Sequence, residues 1–267
     1  MASVSTESLT IRAGIFQCAG GGLSPVQRLE KLDQHLQQQD LDLVVCPELF
    51  MSGYAVGDAL PELAETSDGP FAKAVAQLAQ QHQTAVVYGY PERDGDKLYN
   101  SAACINADGK LIANHRKLML PPGFEADYFT AGSGSTVFDL NGVRCGLLVC
   151  YDAEFPEAVR ALAQVGAQIV IAPTALVDSW PVVARKVMPT RAFENGVWFV
   201  YANHAGIEGP ASYLGASCIV APNGEDAARA EAEETLITAK IDMEQVTHCR
   251  KRLPYLQGIE TLLSKLN

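Results

Sequence analysis

Three stretches place a reactive side chain where an apolar run ends. In Val44-Val45-Cys46-Pro47-Glu48-Leu49-Phe50, a carboxylate sits just past a short buried strand pattern. Open α/β architectures bind ligands at that edge of the sheet, and a carboxylate there is a candidate general base and acid. In His115-Arg116-Lys117-Leu118, an ammonium ends a strand pattern ahead of the loop Pro121-Pro122-Gly123. A fixed cation in that position suits a developing oxyanion. In Gly146-Leu147-Leu148-Val149-Cys150-Tyr151-Asp152-Ala153-Glu154-Phe155-Pro156-Glu157, Cys150 closes an apolar strand and leads by a tight connection into a helix. The positive end of a helix lowers a thiol pKa and offers N–H groups to an anion. Taken singly, each residue has an ordinary reading: a surface glutamate, a solvated strand-end lysine, an inert packed thiol.

The elements that must position these residues alternate between strand and helix. Strand patterns cover Leu9–Gln17, Leu41–Cys46, Thr84–Tyr90, Gln168–Ala172 and Val197–Asn203. Helical spacing covers Pro25–Gln39, Phe71–Gln81, Phe155–Val165 and Pro181–Glu194. Leu98–Asn106 and Lys110–Lys117 flank Ala107-Asp108-Gly109 as a hairpin. Thr136–Leu140 and Val143–Cys150 flank Asn141-Gly142, the strongest short hairpin signal. Tyr213–Val220 and Leu236–Ile241, around Asn223-Gly224, form a last antiparallel pair. The segment from Thr247 on reads as a tail with little core. Strands apolar throughout must be covered on both faces. One doubly wound sheet and two sheets packed face to face both satisfy that requirement.

Composition narrows the function classes. The chain has 267 residues, with 20 basic and 31 acidic side chains and a net charge of −11. That balance repels phosphate backbones and anionic lipid, so neither nucleic acid nor a membrane surface is an expected partner. A chain of this mass folds with about 11,000 Å² exposed out of about 41,000 Å², enough for a core without staples. The N-terminus has no basic then apolar secretory pattern, and no apolar run reaches the ~18 residues of a membrane span. Seven cysteines, an odd count, fit free thiols in a reducing cytosol. No Cys-x-x-Cys occurs, and none of the five histidines lies three to five residues from another, so no local zinc site is expected.

Together and in this order, the three motifs resemble the Glu–Lys–Cys triad of the carbon–nitrogen hydrolase (nitrilase) superfamily. The resemblance extends to Gly53-Tyr54, Tyr88-Gly89-Tyr90-Pro91-Glu92, Leu98-Tyr99-Asn100-Ser101, Ala172-Pro173-Thr174-Ala175 and Arg191-Ala192-Phe193-Glu194-Asn195. It implies an α/β fold, a four-layer α-β-β-α sandwich, as one domain over residues 1–267. It further implies a homodimer of eight layers, with residues 247–267 at the interface, and neither metal nor organic cofactor. Cys150 would be the nucleophile and Glu48 the base and acid. Lys117 and the Tyr151 backbone N–H would hold the oxyanion. A second glutamate orients substrate in many relatives. Glu125, eight residues after Lys117, matches it, with Asp127 as the alternative, and Tyr54 joins the substrate-positioning set. Met119-Leu120 and Ala131-Gly132 depart from the His-Leu and Pro-Gly common in relatives, which implies a different pocket wall.

True nitrilases usually carry Trp-Glu after the cysteine, whereas Tyr151-Asp152 is amidase-like. Carbamoyl amidases often bring arginines here, but Asp152-Ala153-Glu154 is acidic. The set looks most like small bacterial aliphatic amidases, of the kind that includes 5-aminopentanamidase. The expected reaction is hydrolysis of a small aliphatic primary amide through a Cys thioester. Asp152, Glu154 and Asp178, in segments expected to border the pocket, favour an ω-amino amide. Nitrilase, carbamoyl amidase, acyltransferase and a catalytically silent binding protein are the competing readings.

Overall fold

Alternate residues of single apolar strands serve two different cores, and this settles the layer architecture. The computed structural model describes residues 8–266. Its first half runs β1 (Thr10–Gln17), α1 (Pro25–Leu36), β2 (Leu43–Val45), α2 (Leu60–Leu63), α3 (Pro70–His82), β3 (Ala85–Asp94), β4 (Lys97–Ile105), β5 (Leu111–Arg116) and α4 (Phe124–Tyr128). The second half runs β6 (Thr136–Leu140), β7 (Val143–Leu147), α5 (Pro156–Gln164), β8 (Ile169–Pro173), α6 (Met188–Asn195) and β9 (Trp198–Ala202). After these come β10 (Ile207–Glu208), β11 (Ala211–Ser212), β12 (Cys218–Val220), β13 (Asp226–Arg229), β14 (Thr235–Asp242), α7 (Met243–Arg252) and α8 (Tyr255–Leu266).

Two six-stranded sheets result, ordered β14-β1-β2-β3-β4-β5 and β13-β12-β9-β8-β7-β6. Leu43 and Val45 face the core between the sheets, while Val44 and Cys46 face outward under α1 and α3. In the second sheet, Ile169 and Ile171 face inward, and Val170 and Ala172 lie under α5 and α6. This is the four-layer α-β-β-α sandwich expected from the resemblance. Both sheets also repeat one order of ladders: antiparallel, parallel, parallel, antiparallel, antiparallel, read from β14 in the first and from β6 in the second.

The hairpin at Asn141-Gly142 forms, and both turn residues have positive φ, 49° and 81°, as a type I′ turn requires. The last expected pair does not form. β12 pairs with the short, polar β13 around Asn223-Gly224, and β14 crosses to the other sheet to pair with β1 along eight residues. Asp226–Arg229 carries no apolar run, so sequence pattern passes over it. The C-terminal segment folds as two helices. Met243 and Val246 of α7 are buried, whereas Leu262, Leu263 and Leu266 of α8 are exposed. No helix among the described residues is long and apolar enough to cross a membrane.

Candidate active site

Glu48, Lys117, Cys150 and Thr174 each follow the C-terminal end of a strand: β2, β5, β7 and β8 respectively. Pro47 ends β2, and the chain turns tightly, with Leu49 at φ 47°. Gly89 of β3 passes directly beneath this turn. A Cβ added there would lie 2.7 Å from the Glu48 Cα and 2.3 Å from the Leu49 nitrogen, so only glycine fits. The Gly89 N–H donates to the Pro47 carbonyl at 3.1 Å, and the Met51 N–H donates to the Gly89 carbonyl at 3.1 Å. His204 Nε2 lies 2.6 Å from the Glu48 carbonyl oxygen. Burial pushes His204 down to about 4, so at neutral pH it is an uncharged donor to that carbonyl.

The side chains of Glu48 and Lys117 are fully buried, and Glu125 is 2 % exposed. Lys117 Nζ donates to Glu48 Oε1 at 2.8 Å and to Glu125 Oε1 at 2.6 Å. Asn100 Nδ2 bridges the same two carboxylates, at 2.7 Å and 3.0 Å. The Tyr54 hydroxyl donates to Glu125 Oε1 at 2.8 Å. Glu48 Oε2 is buried and accepts from none of the described residues. Burial raises the Glu48 carboxyl; Lys117 pulls it back, Glu125 adds to the rise, and the net shift is upward. Burial alone would lower the Lys117 ammonium, but Glu48, Cys150 and Glu125 outweigh it and raise it. Lys117 is therefore charged at neutral pH. The structure thus joins Glu125 to the buried cluster, while Asp127 points to solvent.

Cys150 opens a 3₁₀ turn over Cys150–Glu154, at φ 46°, and is partly exposed. Its thiol is raised, not lowered as the helix-end argument predicts. Burial comes first among the causes and the Glu48 charge second, with Lys117 and a Thr174 hydrogen bond opposing. Lys117 reaches Cys150 as a charge only, since no hydrogen bond joins them among the described residues. Nothing described accepts from the Tyr151 backbone N–H, which leads this turn.

The three acids expected to border the pocket separate. Asp152 is fully buried and spent on the backbone: it accepts from the N–H groups of Leu118, Met119 and Val149 at 3.0, 2.9 and 3.2 Å, with His115 Nε2 at 3.2 Å. It clamps the Lys117 loop to the Cys150 turn and has no capacity left for a substrate amine. Asp178 is exposed, hydrogen-bonded only through its backbone and to Ser179, and stands outside the buried cluster. Glu154 alone keeps a half-buried carboxylate without a hydrogen bond. Burial raises it, with Lys117 and Arg191 opposing.

Sequence reasoning passed over the residues behind this cluster. Arg28, 1 % exposed, pairs with Glu208 at 3.1 Å. Glu208 also accepts from the Tyr213 hydroxyl at 2.8 Å and the Tyr54 N–H at 3.0 Å. This buried ion pair fixes the backbone that carries Tyr54. A buried Arg at the fourth residue of a helix start is its only local signal. Asn100 had a stronger one, an amide inside a buried strand, beside Ser101.

The carbon–nitrogen hydrolase profile matches residues 12–251. A Pseudomonas protegens protein named "Hydrolase in pqqF 5'region" is 39% identical over 251 residues, covering 92% of this chain and 88% of its own. A Pseudomonas (R)-stereoselective amidase is 34% identical over 226 residues, covering 84% of this chain and 82% of its own. Among solved structures, a variant of the Nesterenkonia AN1 amidase from the nitrilase superfamily superposes with a TM-score of 0.85 at 29% identity, covering 96% of both chains. A further variant of that amidase carries acrylamide added to its active-site cysteine. With matching fold and with a family profile spanning nearly its whole length, the chain belongs to the carbon–nitrogen hydrolase family and is an enzyme that hydrolyses non-peptide carbon–nitrogen bonds.

Proposed function

We propose that the protein is an amidase that cleaves small aliphatic primary amides to carboxylate and ammonia through a thioester on Cys150. The observation that carries this reading is Glu48 Oε2, the one carboxylate oxygen of the buried cluster that has no partner among the described residues; the Asn100 Oδ1 beside it is also unpartnered, but an amide oxygen is not a base. Leaving a buried acceptor unmade costs about 1–3 kcal/mol, and the Cys150 proton is its natural use. Because the thiol pKa is raised, sulfur keeps its proton until Glu48 removes it as the bond to the carbonyl carbon forms. The carbonyl oxygen becomes an oxyanion facing Lys117 Nζ and the Tyr151 N–H. Protonated Glu48 returns its proton to the departing ammonia and then activates water against the thioester. Glu125, held by Lys117, Asn100 and Tyr54, orients the amide nitrogen.

Relatives named as amidases and as nitrilases both occur, but the solved structure superposed on the chain is that of an amidase, which supports an amide over a nitrile, as does Tyr151-Asp152. Glu154, the one unpaired acid near Lys117, supports a cationic group on the substrate, in the manner of 5-aminopentanamide. Ammonia release should be faster from a short primary amide than from the matching nitrile. The ratio of kcat/KM for 5-aminopentanamide to that for an uncharged amide of equal length should exceed one and shrink at high salt. Equal values at both salt concentrations would leave a general aliphatic amidase. A faster nitrile would remove the amidase reading.

The same reading pairs two copies through α8. Leu262, Leu263 and Leu266 are each more than half exposed. Leu262 lines an open apolar groove of about 340 Å³ with Arg160, Leu253, Tyr255 and Ile259. Light scattering should give twice 28.6 kDa, falling to the single mass when Leu262 and Leu263 are both changed to Glu. A monomer in the unchanged protein would dismiss the pairing.

A further inference from the structure

Thr174 follows β8 directly, and Tyr201 lies on the neighbouring β9. Both side chains are fully buried. Thr174 Oγ1 is 2.9 Å from Cys150 Sγ and 2.9 Å from the Tyr201 hydroxyl. The β8–β9 ladder sets this spacing, pairing Ala172 with Tyr201 and Pro173 with Ala202, and the Thr174 N–H continues it to the Ala202 carbonyl at 2.8 Å. The Thr174 carbonyl in turn accepts from the Glu48 N–H at 3.3 Å. One residue therefore touches the sulfur with its side chain and the base with its backbone.

The protons in this chain have one consistent order. Among the described residues, Thr174 is the only hydrogen-bond partner of the Tyr201 hydroxyl. A buried phenol must donate its proton, and Thr174 Oγ1 is its acceptor. Threonine has a single hydroxyl proton, which is then left for Cys150 Sγ. A sulfur that accepts on the Thr174 side directs its own S–H elsewhere; of the two unpartnered acceptors in the buried cluster, Glu48 Oε2 and Asn100 Oδ1, only the Glu48 carboxylate can take the proton as a base.

We infer that Tyr201 and Thr174 form a proton-ordered chain that holds Cys150 Sγ as an acceptor, aims its proton at Glu48 and steadies the thiolate as it forms. Thr174 touches the reacting sulfur and is a catalytic residue in this scheme; Tyr201 acts through it as a positioning residue. No bond is made or broken at either residue. The β-branched threonine has few χ1 states available, so the donor is held in place in advance. The Thr174 hydrogen bond also works against the burial and the Glu48 charge that raise this thiol.

The inference rests on Cys150 being the nucleophile, so the test reads that thiol directly. Iodoacetamide alkylation of the full-length protein is followed against pH, alongside kcat/KM for a short amide, in Thr174→Val, Thr174→Ser and Tyr201→Phe. A hydrogen bond to a charged group has a strength that corresponds to about ten- to a hundredfold in rate. Thr174→Val should lose that much in kcat/KM and shift its alkylation profile to higher pH. Thr174→Ser should restore both to within a few-fold. Tyr201→Phe removes a single oxygen and should shift the profile in the same direction by less. A profile unmoved in Tyr201→Phe, or a serine variant as slow as the valine one, overturns the chain and leaves Thr174 as packing. Should the valine variant fail to fold, the serine and phenylalanine variants decide the question alone. If wild-type activity survives complete alkylation of Cys150, the nucleophile assignment fails instead, which separates the two outcomes.

Discussion

Changing Cys150 to alanine is expected to lower kcat on order-of-magnitude grounds by about 10⁶-fold, the loss that follows removal of a hydrolytic nucleophile. Stability should change little. The side chain is small, partly exposed and at the margin of the core between the sheets. Its φ of 46° strains cysteine and alanine alike. Mass spectrometry of the wild-type enzyme quenched during turnover should find the acyl group on Cys150. An acyl group on Cys46 or Cys145 would refute the assignment. Both are fully buried, and among the described residues neither thiol is hydrogen-bonded to an acid or a base, Cys145 reaching only the Val143 carbonyl of its own strand.

Replacing Lys117 with methionine should have the next largest effect. The ammonium lies fully buried between two carboxylates. Without it, Glu48 and Glu125 face each other uncompensated, a situation that typically costs about 3–5 kcal/mol. One of them takes up a proton to relieve this. The loss of the oxyanion donor alone removes about 10²–10³ in kcat, and protonation of the base adds to it. The pH dependence gives the sign. Glu48 must be ionised to act, and its pKa is already raised, so wild-type kcat/KM should fall with decreasing pH above the usual carboxylate range. In the variant that acid limb should move to still higher pH. A melting curve and a kcat/KM profile against pH check both parts. A variant with most of the wild-type rate would return Lys117 to a structural role.

The reactive residues were legible because each ends a strand, and strand ends are where apolar pattern breaks. Glu48, Lys117 and Cys150 each stand at such a break. Asp152 stood out as an acid expected to border the pocket and was misread. Its carboxylate serves three backbone N–H groups, two of them more than thirty residues away, and no local pattern reveals such a partner. The helix-end argument for a lowered Cys150 pKa failed in the same way, because Glu48 and the depth of the pocket come from distant segments. At fold level, the hairpin at Asn141-Gly142 follows from two residues, whereas β14 finds β1 across more than two hundred. β13 is too short and too polar to register as a strand at all.

The repeated ladder order divides the reactive groups between two plates. Glu48 and Lys117 sit at strand ends of the first sheet, Cys150 and Thr174 at strand ends of the second. No single sheet carries both the sulfur and the base that deprotonates it. Their separation is set across the seam by Leu43, Val45, Ile169 and Ile171, which share one core, and at the site itself by the Glu48 N–H bonded to the Thr174 carbonyl. A misplacement of about 1 Å between reacting groups can cost 10²-fold in rate. The apolar seam is thus the gauge of this enzyme as well as its core, and slippage there reads out at the thiol.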